Sequence, residues 1–207
     1  SIDAINEVNE QQHNEFQDPE TIARISQYEM AYKMQITAPE VMDISTEPDY
    51  IKEMYGIGDG KNRFANNILI ARKLVEKGVR FVQLFDWGWD SHGTDPSNAL
   101  DIGLINKCRK VDKPITALIL DLKQRGLLDE TLIVWGAEFG RTPMLENREG
   151  KPLPFKGRDH HTAGFSMWMA GGGIKGGTTY GETDPIGYDV ISGKVEAFDI
   201  QATLLNQ

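Results

Sequence analysis

Three of the four histidines in this chain stand within two residues of an aspartate. The first pairing lies in "FDWGWDSHGTD" (85–95), where His92 shares a short stretch with Asp86, Asp90 and Asp95. The second lies in "GRDHHTAG" (157–164), where Asp159, His160 and His161 are consecutive. Imidazole and carboxylate together are the donors that zinc, manganese or iron take from a protein. Asp90 and His92 are two apart, so an extended backbone points both the same way. Of three consecutive residues, at most two face one ion with ease. A hydrogen-bonded polar loop accounts for either pairing alone. Two of them in one chain put a shared metal site on an equal footing with that simpler reading.

A third segment, "AEFGRTP" (137–143), adds Glu138 and Arg141. A glutamate at the end of an apolar run is costly to bury unless it is paired or ligates a cation. A Glu138–Arg141 ion pair would satisfy it. The functional alternative makes Glu138 a ligand or general base and Arg141 a planar fork for a phosphate or sulfate oxyanion. Arg158 is a second candidate for the anion, although a loop arginine is more often solvated. "AGGGIKGGTTYG" (170–181) lacks the Gly-Lys-Ser/Thr order of a nucleotide-binding loop. It reads as a turn in which glycine is sterically required. Trp87, Trp89, Trp135 and Trp168 suit a pocket wall, but aromatic packing around strand ends is the commoner role.

These segments need elements to position them. The first 17 residues are polar and without period. "DPETIARISQYEMAYKMQITAP" (18–39) reads as a helix, with Asp18 as N-cap, Pro19 in the first position and Ile22, Ile25, Tyr28 and Met34 on one face. A shorter helix ends at Gly56. A third, "NRFANNILIARKLVEKG" (62–78), repeats Phe64, Ile68, Ala71 and Val75 before a capping Gly78. A fourth spans 98–126, with Pro114 kinking or splitting it and Gly126 ending it. "VRFVQLF" (79–85), "TLIVWG" (131–136) and part of "GFSMWMAGG" (164–172) read as strands, the first apolar on both faces as a central strand would be. Strands separated by helices predict an α/β fold, a mainly parallel sheet sandwiched between helices, over residues 18–207 as a single domain. The chemistry-bearing loops would then gather at the carboxyl edge of the sheet.

Bulk composition narrows the partners. Acidic residues outnumber basic ones, 31 to 22, for a net charge of −9, which disfavours nucleic acid. The single cysteine, Cys108, excludes an internal disulfide and a cysteine-rich zinc site. No apolar run approaches the roughly 20 residues of a membrane span.

The blocks "GVRFVQLFDWGWDSHG", "LKQRGLLDETLIVWGAEFGRTP", "GRDHHTAGFSMWMAGGGIKGGTTYGETD" and "DIQATLL" resemble, in order, those of the bacterial family catalogued as domain of unknown function 1501. That family is a sulfatase-like branch of the alkaline phosphatase superfamily. The resemblance implies an α/β/α sandwich and a metal-assisted hydrolase of phosphate or sulfate esters. It matches Asp90 and His92 to a Trp-Asp-x-His block, Glu138 and Arg141 to Glu-Phe-Gly-Arg, and Asp159 and His160 to Gly-Arg-Asp-His. His161 falls at a variable position and ranks below His160. Two departures stand out. Superfamily enzymes often have Asp-His where this chain has Glu138–Phe139. The closing block, commonly His-Asp-Leu-His-Ala-Thr, here reads Phe198-Asp199-Ile200-Gln201-Ala202-Thr203. No strand followed by a serine or threonine turn occurs in the first 60 residues to supply the superfamily's nucleophile, so the chain is expected to be a C-terminal portion, incomplete on its N-terminal side. Full-length relatives often carry an export signal, which would make the parent protein periplasmic or exported.

The expectation is thus a metallohydrolase. Asp90, His92, Asp159, His160 and, last, His161 would serve a divalent metal, with zinc first and manganese, iron or calcium as alternatives. Glu138 would act as base, with Arg141 and Arg158 on the anion of a small ester or sulfated glycan. The competing expectation is a non-catalytic, metal-stabilised domain that binds anionic glycans or a protein partner. The dullest reading keeps the loops for structure alone.

Overall fold

The structure is a computed structural model that describes residues 7–11, 19–58 and 62–207. The expected Asp18 cap and the side chain of Met34 lie outside the described residues. The chain divides into two units, Ser1–Thr46 and Glu47–Gln207. In the first, helix α1 (Pro19–Met42) starts at Pro19 as expected, but it carries Pro39 within its last turn rather than beyond its end. A proline there forfeits a single backbone donor, and Asp43 N–H still bonds the Pro39 carbonyl at 3.2 Å.

The second unit holds the core. Helices α2 (Asp49–Tyr55), α3 (Arg63–Glu76) and α4 (Gly103–Gln124) bury Ile51, Tyr55, Phe64, Ile68, Leu69, Val111, Ala117, Leu118 and Leu122. Gly56 and Gly78 take the left-handed conformation past α2 and α3, at φ 75° and 81°. Helix α4 runs unbroken through Pro114. A proline leaves the carbonyl four residues earlier without its donor. Asn62 supplies one, its amide Nδ2 donating to the Lys110 carbonyl at 3.0 Å, while its Oδ1 caps α3 through Ala65 N–H at 3.2 Å. One side chain thus starts α3 and repairs α4.

Charge is also buried here. Arg72 (2 % exposed) lies 3.0 Å from Asp121 Oδ2 and 2.8 Å from Glu47 Oε2, and it also pairs with Glu76. Asp121 accepts hydrogen bonds from Tyr55 Oη at 3.0 Å and Arg125 Nε at 2.7 Å. Burial first, then the Asp121 charge, holds the Tyr55 hydroxyl protonated far above its ordinary range.

The expected parallel sheet is absent among the described residues. The strands are short and pair antiparallel in twos: β1 (Ile133–Trp135) with β6 (Trp168–Ala170), β2 (Gly140–Arg141) with β5 (His160–His161), β3 (Asn147–Arg148) with β4 (Lys151–Pro152), and β7 (Glu182–Thr183) with β8 (Val190–Ser192). Residues 79–85 belong to no helix or strand, with Phe81 and Phe85 78 % and 74 % exposed. The sandwich of helices around a parallel sheet, expected from both the pattern and the resemblance, is therefore overturned. A run apolar on both faces fixes neither a hydrogen-bonding partner nor its direction. Residues 136–167 between β1 and β6 contain no crossover helix, and antiparallel pairing requires none. Helix α5 (Ala197–Asn206) follows, capped reciprocally by Glu196 and Asp199. No helix among the described residues is long and apolar enough to cross a membrane.

Candidate metal centre

The non-helical segment after α3 delivers the first two candidate donors, its backbone turning through Ser91 N–H to Trp89 O at 3.0 Å and His92 N–H to Asp90 O at 3.1 Å. Ser91 is buried, and Asp90 and His92 project together on the other side, with His92 Nε2 3.0 Å from Asp90 Oδ1. The remaining carboxylates of this stretch serve structure. Asp86 accepts from Trp89 Nε1 at 3.0 Å and Lys110 Nζ at 2.6 Å. Asp95 caps the turn at Pro96–Asn98 through Ser97 N–H at 2.8 Å.

The third donor comes from the β2–β5 ladder. Arg141 is the cross-strand partner of His160, and Gly140 that of His161. Opposed residues share a face and successive residues alternate, so the register sends His160 and Arg141 one way and His161 the other. His160 Nε2 lies 3.0 Å from Asp90 Oδ1 and 3.2 Å from His92 Nε2. His161 is buried, with Nε2 2.7 Å from the Tyr188 carbonyl and its ring against Tyr188. It stands apart from the cluster.

Arg141 donates from Nη2 to Asp90 Oδ1 and from Nη1 to the Arg158 carbonyl at 3.0 Å. The hydrogen bond from His160, followed by that from Arg141, holds the Asp90 carboxyl down at about 2. Glu138 is exposed and contributes to neither donor cluster, and among the described residues no ion pair joins it to Arg141. Phe139 packs its ring 4.3 Å from that of His160, so the departure from Asp-His serves packing. The Arg158 side chain is exposed, while its backbone N–H bonds the Ser91 carbonyl at 2.9 Å. Asp159 receives its neighbour's N–H, from His160, at 2.7 Å on Oδ1.

One participant escaped the sequence reading. Glu146 Oε2 lies 2.5 Å from His92 Nδ1, and its other oxygen accepts from Arg148 Nε at 3.1 Å. Burial pushes the pKa of this carboxyl up, but the hydrogen bonds and charges of His92 and Arg148 outweigh it and the net shift is downward. Glu146 and His92 are 54 positions apart, and no local pattern links them. A second donor group joins His92, Glu146 and Asp159, with Glu146 on the Nδ1 side of the same imidazole. In that group Glu146 already holds His92 Nδ1 at 2.5 Å, whereas Asp90 and His160 both stand on its Nε2 side.

Backbone lacing holds the loops in place. Arg158 N–H reaches Ser91 O, Phe155 N–H reaches Gly93 O at 3.1 Å, and Glu146 N–H reaches Gly157 O at 2.9 Å. Gly157 makes the crossing feasible, because a Cβ there would sit 1.9 Å from the carbonyl carbon and oxygen of His92. Gly157→Ala is expected to push the two loops apart, with a loss of about 2–3 kcal/mol, a severe single-site effect. Thermal unfolding and zinc binding check this; an unshifted melting temperature with intact binding would contradict it.

A family model described as "Protein of unknown function (DUF1501)" matches residues 1–207. The chain belongs to the DUF1501 family. No curated protein and no solved structure matches it. In this DUF1501 chain the other motifs are structural. Trp135 meets Trp89 edge-on at 5.8 Å, stacks with Trp168 at 6.4 Å and meets Phe64 edge-on at 6.5 Å, while Trp87 is exposed. In the glycine-rich turn, a Cβ on Gly171 would lie 2.3 Å from the Thr131 carbonyl oxygen.

Proposed function

We propose that Asp90, His92 and His160 hold a divalent metal ion, zinc first, and that this DUF1501 protein is a sulfatase-like, metal-dependent hydrolase of sulfate or phosphate esters. The observation that carries the reading is the mutual spacing of three donor atoms, 3.0, 3.0 and 3.2 Å. Donors about 2.0–2.1 Å from a tetrahedral zinc stand about 3.3–3.4 Å apart, so shifts of a few tenths of an ångström seat the ion. The 3.2 Å between the two imidazole nitrogens suits either an N–H···N hydrogen bond or a shared cation that takes a lone pair from each. The set is all nitrogen and oxygen, which suits zinc, manganese or iron.

A divalent ion there supplies Lewis acidity to an ester oxygen and acidifies an attacking water. The protein's own part is to orient the substrate. Arg141, beside Asp90, offers a planar fork to the non-bridging oxygens of a sulfate or phosphate. Glu138, exposed and outside both donor groups, would serve as the general base. The test is hydrolysis of aryl sulfate and aryl phosphate with zinc, manganese, iron or calcium. Turnover is expected to fall about a hundredfold or more in Arg141→Ala, the scale for loss of one preorganised oxyanion donor. Unchanged turnover in His92→Ala would end the enzymatic reading.

The second reading is a metal-stabilised domain that binds anionic glycans or a protein partner without turnover. It is favoured by Arg141, whose guanidinium is already engaged by Asp90 and by the Arg158 carbonyl. Saturable, metal-dependent binding of a sulfated oligosaccharide, with no hydrolysis under any of the four metals, would select it.

A further inference from the structure

We infer that Glu146 is a positioning residue for the metal centre: it fixes His92 as the Nδ1–H tautomer and so aims the Nε2 lone pair at the ion. This rests on the reading of Asp90, His92 and His160 as ligands. An imidazole that ligates through one nitrogen must carry its proton on the other, and a carboxylate on that other nitrogen sets both tautomer and ring angle.

The geometry separates positioning from ligation. Glu146 sits on the Nδ1 side of the ring at 2.5 Å, whereas the other two donors gather on the Nε2 side. Its Oε1 is held by Arg148, so both carboxylate oxygens are engaged. The side chain is 6 % exposed, against 64 % for Asp90 and 44 % for His160, so water competes least for this contact. Its backbone is pinned too, through Glu146 N–H to the Gly157 carbonyl at 2.9 Å, within the same crossing that carries His92. Arg141 Nη1 approaches His92 Nε2 at 3.5 Å, a contact that favours a lone pair on that nitrogen.

The alternatives are distinguishable. If Glu146 only filled space, a glutamine of the same shape and an alanine would both leave His92 unaltered wherever the fold survived. If it were a ligand, glutamine would be nearly as harmful as alanine, because the anionic donor would be gone. As a positioning residue it is replaceable by glutamine, whose amide oxygen still accepts the Nδ1 proton.

Two measurements on the purified protein decide it. Histidine 15N chemical shifts, recorded on metal-free protein at mildly alkaline pH, report the tautomer. His92 is expected to be protonated at Nδ1 in the wild type and in Glu146→Gln, and to shift toward the Nε2–H form in Glu146→Ala. Zinc affinity, by competition with a chromophoric chelator, is expected to fall about 10–100-fold in Glu146→Ala and much less in Glu146→Gln. An unchanged tautomer and unchanged zinc affinity in Glu146→Ala would overturn the role. Equal losses in the two variants would also overturn it, in favour of direct ligation. Should the wild type itself take up no zinc, the metal reading fails, and the tautomer spectra alone decide whether Glu146 sets the state of His92.

Discussion

Wild-type protein equilibrated with zinc is expected to retain about one equivalent of metal by elemental mass spectrometry, the content of a single three-ligand site with an open position, and His92→Ala/His160→Ala to retain none. A four-ligand structural zinc site is worth about 10–16 kcal/mol, or roughly 3 kcal/mol per ligand. Each imidazole removed should therefore weaken binding by about a hundredfold. Removal of both leaves Asp90, which is 64 % exposed and already paired with Arg141. A lone surface carboxylate does not hold zinc against a chelator. Linkage gives an independent readout, because zinc at a hundred times its dissociation constant stabilises the fold by about 2.7 kcal/mol. The wild type should thus melt higher with zinc, and the double variant should not. His161→Ala serves as the control, since His161 bonds the Tyr188 carbonyl and takes no part in the cluster. Metal content that survives in the double variant, or that falls equally in His161→Ala, would show that the register argument misplaces the site. Two equivalents in the wild type would point to the second group, His92, Glu146 and Asp159, as a site in its own right.

The second large effect is expected far from the site. Asp121→Ala should lower the stability of the helical core by about 3–5 kcal/mol, the range for breaking a buried ion pair from one side. Asp121 is 1 % exposed and lies at the centre of the network. Its removal leaves the Tyr55 hydroxyl without its acceptor, frees Arg125 Nε, and takes from Arg72 one of its three carboxylate neighbours. Arg72 Nε and Nη2 lie within ion-pair distance of their carboxylates but off the hydrogen-bonding line, so they depend on charge proximity more than on alignment. Typical domains hold only about 5–15 kcal/mol in total, so the variant would stand near the threshold of folding. Tyr55→Phe deletes a single hydrogen bond and should cost about 1–2 kcal/mol. Urea unfolding followed by tryptophan fluorescence measures both. A loss below about 1 kcal/mol in Asp121→Ala would mean that the network behaves like a surface pair, open to water.

The two expectations bear on different layers of the molecule. The helices that carry the buried network also start and stop the segment that delivers Asp90 and His92. The site itself is assembled from loops whose backbone groups bond one another. Loss of metal ligands should therefore leave the core intact, and loss of Asp121 should affect metal binding only through unfolding.

By itself, the sequence determined what depends on near neighbours. The apolar spacing of Phe64, Ile68, Ala71 and Val75 marks one face of α3; the first three are buried and Val75 is half-buried. Gly56 and Gly78 mark helix ends because only residues tolerant of positive φ stop a helix that way. The two-residue spacing of Asp90 and His92 predicts that both point one way, and they do meet at 3.0 Å, although the backbone there turns through successive hydrogen bonds between residues two apart and does not run extended. Each of these inferences involves residues within four positions or so, where backbone geometry leaves few choices.

Tertiary structure alone decided the rest. The segment 79–85 has a strand's composition but pairs with no strand among the described residues, and β1 found an antiparallel neighbour in β6. Apolar composition is satisfied by burial in any direction; a ladder needs a particular partner, and that choice is made across tens of residues. The choice of His160 over His161 turns on the register Arg141↔His160, since a slip of one residue would exchange their faces. Glu146 entered because the crossing at Gly157 carries it to His92. Pro114 sits inside an intact helix because Asn62, 48 positions before Lys110, reaches the carbonyl that the proline leaves bare. Local sequence sets which groups are offered, and long-range packing sets which of them meet, because the free energy of a contact between distant residues is gained only once the chain between them has folded.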